Sequence, residues 1–175
     1  MSDHSLAIKP NFYKLPQDHL LLEELKSKHP EMQIFDAFQN QVKELIKCRH
    51  PRGLQPTQVE EAVQSYVAGR AWEECGNWVY FPWRNSLVHI LDEQDFIEVR
   101  TNRNQYKITR KERDLLQTKT IGIIGLSVGQ SIALSLAMER SFGELRIADF
   151  DHLELSNLNR IRTPLIHLDL PKGLK

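Results

Sequence analysis

The sequence predicts an α/β protein in which a mainly helical α+β region, residues 1–99, precedes the first βαβ unit of a parallel sheet, residues 100–175. Three observations carry this expectation. Apolar residues recur at helical spacing through much of the first seventy positions. A stretch rich in aromatic and β-branched residues follows Gly76. From Lys119, an apolar strand then runs through a glycine turn into an apolar helix and a second apolar strand.

Residues 1–16 hold two prolines and no period, and are expected to fray. A first helix is expected around Leu20–Leu25, ending near His29-Pro30. Phe35, Phe38, Val42, Leu45 and Ile46 share one face of a second helix, which the breaker-rich Pro51–Pro56 stops. Thr57 and Glu60 have capping-box spacing. Behind them Val59, Ala62, Val63, Tyr66 and Val67 form a third apolar stripe, with Gly69 placed as its C-cap. In "NWVYFPWRNSLVHIL", Arg84-Asn-Ser86 reads as the turn of a short hairpin, and Trp72, Trp78 and Trp83 as core. His89 lies within an apolar run without a partner histidine at ligand spacing, so a hydrogen-bonded structural histidine is expected.

Thr109 and Glu112 form a second capping box, opening a helix through Leu116. Lys119–Gly125 and Glu144–Phe150 read as strands buried on both faces, and Gly143 as the end of the helix between them. Strand, helix and strand in that order make a βαβ unit with a right-handed crossover.

Charge excludes little and favours little. Lys+Arg and Asp+Glu stand at 23 each, so no net field draws nucleic acid or an anionic membrane, and neither is an expected partner. No apolar run approaches the length of a membrane span. Met1-Ser-Asp-His shows no secretory pattern, and Cys48 and Cys75 sit in no metal or redox motif, so no metal site is assigned. A cytoplasmic location with reduced thiols is expected.

The chemistry lies in "IGIIGLSVGQ", Ile121–Gln130. Gly125-Leu-Ser-Val-Gly129 matches the serine nucleophile turn of α/β-hydrolases, which would make Ser127 a nucleophile. The preceding residues offer no oxyanion loop, and nothing aims His167 or Asp169 at Ser127. The alternative is a phosphate-binding turn: a tight bend at Gly125, close strand–helix packing at Gly129, and free N–H groups at a helix N-terminus. A dinucleotide fingerprint would need glycines where Ser127 and Gln130 stand, although an NAD(P)-dependent oxidoreductase stays open. Asp149, which ends the second strand, lies where an acid accepts bonds from ribose hydroxyls. The run Ser156-Asn-Leu-Asn-Arg160 follows it.

Glycine turn, helix, strand, Asp149-Phe-Asp151 and Ser156-Asn-Leu-Asn-Arg160 together resemble the ThiF/MoeB family of adenylating enzymes, the module shared with ubiquitin-activating enzymes. The resemblance covers roughly residues 100–175 and implies a Rossmann-like domain that binds ATP with Mg²⁺ and adenylates a carboxylate. That carboxylate is usually the C-terminus of a ubiquitin-like or sulfur-carrier protein, and the family enzyme is usually a homodimer. By position, Gly125, Ser127 and Gly129 form the phosphate turn, and Asp149 and Asp151 take the acidic places. Asn157 and Arg160 take the triphosphate contacts, and Asn159 between them joins the cofactor-binding candidates. Pro171-Lys172 matches the family's Pro-Lys, with Lys172 on phosphate, and Arg103 matches an arginine reaching across the dimer. Arg103, Arg160 and Lys172 are thus the catalytic candidates.

Two departures stand out: the turn is one residue shorter than the family's, and Ile161 replaces a glutamine. The first 99 residues resemble the N-terminal segment of long bacterial ThiF-type proteins that carry a nitroreductase-like domain. The family's Mg²⁺-binding aspartate is expected beyond Lys175. The chain therefore reads as truncated: a fragment, or a degenerate nucleotide-binding module, that alone adenylates nothing.

Overall fold

The computed structural model describes residues 9–104 and 106–174. It is a mixed α/β structure whose contacts divide it into two compact units, Met1–Asn102 and Arg103–Lys175. Among the described residues no helix is long and apolar enough to cross a membrane.

The first unit holds β1 (Asn11–Tyr13), α1 (His19–Lys28), β2 (Gln33–Asp36), α2 (Phe38–Arg49), α3 (Pro56–Val67), β3 (Asn77–Phe81), β4 (Ser86–Ile90) and α4 (Glu93–Thr101). The strands form one sheet in the order β1-β3-β4-β2, antiparallel except where β2 runs parallel to β4. The hairpin is present, and two strands join it that the sequence did not announce. Residues 11–13, expected to fray, pair with Val79 and its neighbours. Phe35, read as part of a helix face, lies instead in β2 opposite Val88 and is exposed. No local period marked α4.

Two cores hold the unit. One gathers Phe38, Val42, Leu45, Ile46, Val63 and Val67 from α2 and α3, with Cys75 and Leu91. The other sets Leu22, Leu25 and Met32 against Trp78, Tyr80 and Leu87 of the sheet. Each fully buried aliphatic side chain here contributes about 1.5–3 kcal/mol. Trp78 is buried and the half-buried Trp72 packs against the core of α2 and α3, as expected, whereas Trp83 is 49% exposed, against the expectation that it packs inward. The α3 cap also differs. Its box joins Gln55 and Gln58, with Pro56 in the first turn, so Thr57 and Glu60 are helical. At its other end Ala68, with φ 53°, takes the C-cap that Gly69 was expected to fill.

Two polar groups are built into this interior. His89 is fully buried, stacked between Phe38 (4.2 Å) and Trp78 (4.3 Å). Its Nε2 donates to the Cys75 carbonyl at 2.7 Å, and its Nδ1 lies 3.0 Å from Asp36 Oδ1. This is the structural histidine the sequence suggests. The Tyr66 hydroxyl donates to Asp95 at 2.8 Å, and burial together with that carboxylate pushes its pKa above the ordinary tyrosine range. Burial likewise raises the Cys75 thiol, leaving it a protonated core group.

The second unit holds α5 (Arg110–Leu116), β5 (Thr120–Ile124), α6 (Leu126–Glu139) and β6 (Glu144–Ala148). The Thr109–Glu112 capping box opens α5 as its spacing predicts. Strands β5 and β6 pair in parallel, Thr120 opposite Glu144 and Ile124 opposite Ala148. Contrary to the expectation of burial on both faces, Ile124 is 91% exposed and Ile147 is also exposed. Helix α6 ends at Arg140 in the left-handed region rather than at Gly143. Gly143 serves a close approach: a Cβ there would sit 2.0 Å from the Gln117 carbonyl oxygen.

Candidate functional site

The turn between β5 and α6 is made by Gly125, whose φ of +86° is costly for any side-chain-bearing residue. Four residues on, Gly129 is buried, and a Cβ there would meet Ile123 Cγ2 at 2.6 Å, so the helix rests directly on β5. Gly129→Val is therefore expected to destabilise the unit by about 1–3 kcal/mol, read as a lower urea midpoint.

Across the turn, Asp149 follows the end of β6. Its Oδ2 accepts the Leu126 N–H at 2.6 Å and its Oδ1 the Asp151 N–H at 2.8 Å. A carboxylate at a helix N-terminus is stabilised by the unpaired amides and the dipole. The Gly129 N–H closes onto the Gly125 carbonyl. The amides of Ser127 and Val128 remain in the first turn, where a helix has no acceptors of its own.

The segment after β6 folds back over this point. Leu153 and Ile161 are buried, an isolated bridge pairs His152 with Pro171, and Leu155–Asn159 forms a short 3-10 turn. Lys172 is only 5% exposed. Its Nζ donates to Asp151 Oδ2 at 2.8 Å and lies 4.0 Å from Asp149 Oδ1. Arg160 is exposed and donates to Asn159 Oδ1 at 2.9 Å and to Ser127 Oγ at 3.2 Å. Among the described residues no carboxylate pairs with Arg160.

These groups border an open cleft of about 690 Å³ at the carboxyl ends of the two strands, lined by Gly125, Ser127, Asp149, Asp151 and Lys172. Exposed Ile124 and Phe150, with Ile147, give it an apolar side. Not every sequence candidate stands here. Arg103 is exposed on a 3-10 turn, Asn102–Asn104, and does not line the cleft. Asn157 is buried, and its Oδ1 accepts the Glu154 N–H, so its side chain serves a cap. Pro171-Lys172, expected to open a helix, leads into a 3-10 turn.

Ser127 has Arg160 as its partner, while His167 pairs with Thr163 at 2.8 Å, so no hydrolase triad forms among the described residues. Sequence reasoning passed over one residue, Gln130, which binds the backbone of Arg162. A polar side chain where a phosphate turn often has glycine was the available signal.

No protein-family model matches the chain, and no solved structure does. Over 102 residues it is 44% identical to the uncharacterized protein MT1398 of Mycobacterium tuberculosis, covering 58% of this chain and 14% of that protein. The chain thus spans a small part of the curated relative it matches.

Proposed function

We propose that the second unit binds the phosphate chain of ATP at the N-terminus of α6, as the nucleotide-binding part of a ThiF-type adenylyltransferase with a Rossmann-like arrangement. One observation carries the reading: Arg160, without a carboxylate partner, is held beside the glycine turn at the mouth of a strand-end cleft. Phosphate oxygens fit the amides of Ser127 and Val128 and the Arg160 guanidinium. Ile124, Ile147 and Phe150 offer an apolar wall for the adenine. Lys172 reaches phosphate only by sharing or leaving Asp151. Asp149, bound to two amides, keeps the turn closed and stands at the strand end where an acid meets the ribose of a bound nucleotide.

Bound ATP supplies an α-phosphorus open to attack by a carboxylate, with pyrophosphate leaving. Arg160 and Lys172 offset the charge of that chain. The described residues contain no group of three Asp, Glu, His or Cys side chains that could hold a metal ion, so a bound Mg²⁺ would find at most the carboxylates of Asp149 and Asp151. The carboxylate is proposed to be the C-terminus of a ubiquitin-like or sulfur-carrier protein, the whole enzyme a homodimer, and its location the cytoplasm. A second reading, nucleotide binding without chemistry, is favoured by the engagement of Lys172 with Asp151 and of Asn157 with its cap.

ATP–Mg²⁺ at a hundredfold excess over Kd is expected to stabilise the chain by about 2.7 kcal/mol. Melting curves should show that shift, lose it in Arg160→Ala, and show none with NAD. A shift with NAD alone would replace this reading with the oxidoreductase. ATP–pyrophosphate exchange with a glycine-terminated carrier then separates adenylation from binding alone.

A further inference from the structure

Ser127 and Gln130 stand where a dinucleotide-type turn carries its second and third glycines, and both are engaged with the segment after β6. Gln130 Oε1 accepts the Arg162 N–H at 2.9 Å, and Gln130 Nε2 donates to the Arg162 carbonyl at 3.3 Å. A side-chain amide that reads both polar groups of one residue fixes that backbone in position and direction, as a ladder rung does. One residue earlier, Ile161 is 3% exposed and its N–H donates to the Asn157 carbonyl at 2.8 Å. The backbone around Arg160 is therefore anchored from the interior at Ile161 and from α6 at Arg162. Arg160 directly precedes these anchors, and among the described residues its guanidinium donates to neutral oxygens, those of Asn159 and Ser127.

A cation whose backbone is gripped at the two residues that follow it, and with which no described carboxylate pairs, is arranged for an anion that arrives from outside. We propose that Gln130 is a positioning residue: its grip on the Arg162 backbone holds Arg160 over the α6 N-terminus, where that arginine receives a phosphate chain. The proposal rests on the phosphate-binding reading above. Ile161 and Gln130 belong to one device. Without Gln130 the unit keeps its strands, its glycine turn and its buried residues, but Arg160 is no longer aimed.

The test uses the 175-residue chain and inorganic tripolyphosphate, with affinity read by calorimetry. Wild type is expected to bind, more weakly as salt rises. Gln130→Met, apolar and of similar length, should bind about tenfold more weakly, and Arg160→Ala should lose at least as much. The double variant should bind no more weakly than Arg160→Ala alone, because Gln130 acts through Arg160. Hydrogen exchange at the Arg162 amide should accelerate in Gln130→Met. If that variant fails to fold, Gln130→Glu carries the test: it keeps the acceptor for the Arg162 N–H, loses the donor, and should bind with intermediate affinity. Wild-type affinity in the Gln130 variants, or additive losses in the double variant, overturns the proposal and leaves the phosphate reading standing. A wild-type chain that binds no tripolyphosphate overturns both.

Discussion

Asp149→Ala is expected to remove about 3–5 kcal/mol from the second unit and to abolish the ATP response proposed for it. The carboxylate is 5% exposed and accepts two backbone N–H groups, from the first residue of α6 and from the loop after β6. It also lies 4.0 Å from the buried Lys172 ammonium. Truncation leaves both amides without their acceptor and one buried cation with a single counter-charge, and such orphaned groups cost more than the bonds themselves were worth. Asp149→Asn keeps an acceptor oxygen while losing the charge, so it should fall between. Urea titrations of the three proteins, followed by circular dichroism, give the order directly. An alanine variant within about 0.5 kcal/mol of wild type would mean that the turn is held by its glycine and its packing alone.

His89→Ala should cost the first unit about 3 kcal/mol or more, by vacating a slot between two stacked rings and leaving Asp36 and the Cys75 carbonyl without their imidazole partner. His89→Phe separates the two contributions, because it restores the stack and not the polar contacts. It is expected to recover part of the loss, with about 1–3 kcal/mol still missing. Guanidinium titration followed by circular dichroism gives the order of the three proteins. A phenylalanine variant as stable as wild type would assign the whole effect to packing.

What the sequence revealed and what it hid divide along distance. The Thr109 box, the glycine turn and the strand–helix–strand order are written in adjacent residues, and each stands where its pattern put it. β2 was masked because Phe35 continues the helical spacing of Phe38 and Val42, while its pairing with β4 lies some fifty residues away. The three residues of β1 have no period at all and are fixed by distant partners, the β3 ladder and the core against which Tyr13 packs. The α3 start was misplaced by two residues because Gln55 and Gln58 cap it, a pair less diagnostic than the Thr57 and Glu60 beside them. The cleft follows the same division. Gly125 and Asp149 are legible from spacing, but the Lys172–Asp151 pair and the Gln130 grip join positions 21 and 32 residues apart. The exposure of β5 and β6 escaped for another reason: their apolar composition records what such strands can bury, and the described chain buries little of it.

The parallel pairing of β5 with β6 has a consequence in time. In the β3–β4 hairpin Phe81 meets Ser86, five positions on, whereas every β5 residue meets a partner 24 positions later. Loop-closure entropy makes the second encounter costlier by about 1.4 kcal/mol, before any hydrogen bond of the ladder repays it. The hairpin can zip from neighbours as soon as its turn forms. The parallel pair must wait until α6 has wound and shortened the path between its strands. The strand-end cleft, which exists only where the two strand ends lie side by side, is on this account among the last features of its unit to take shape.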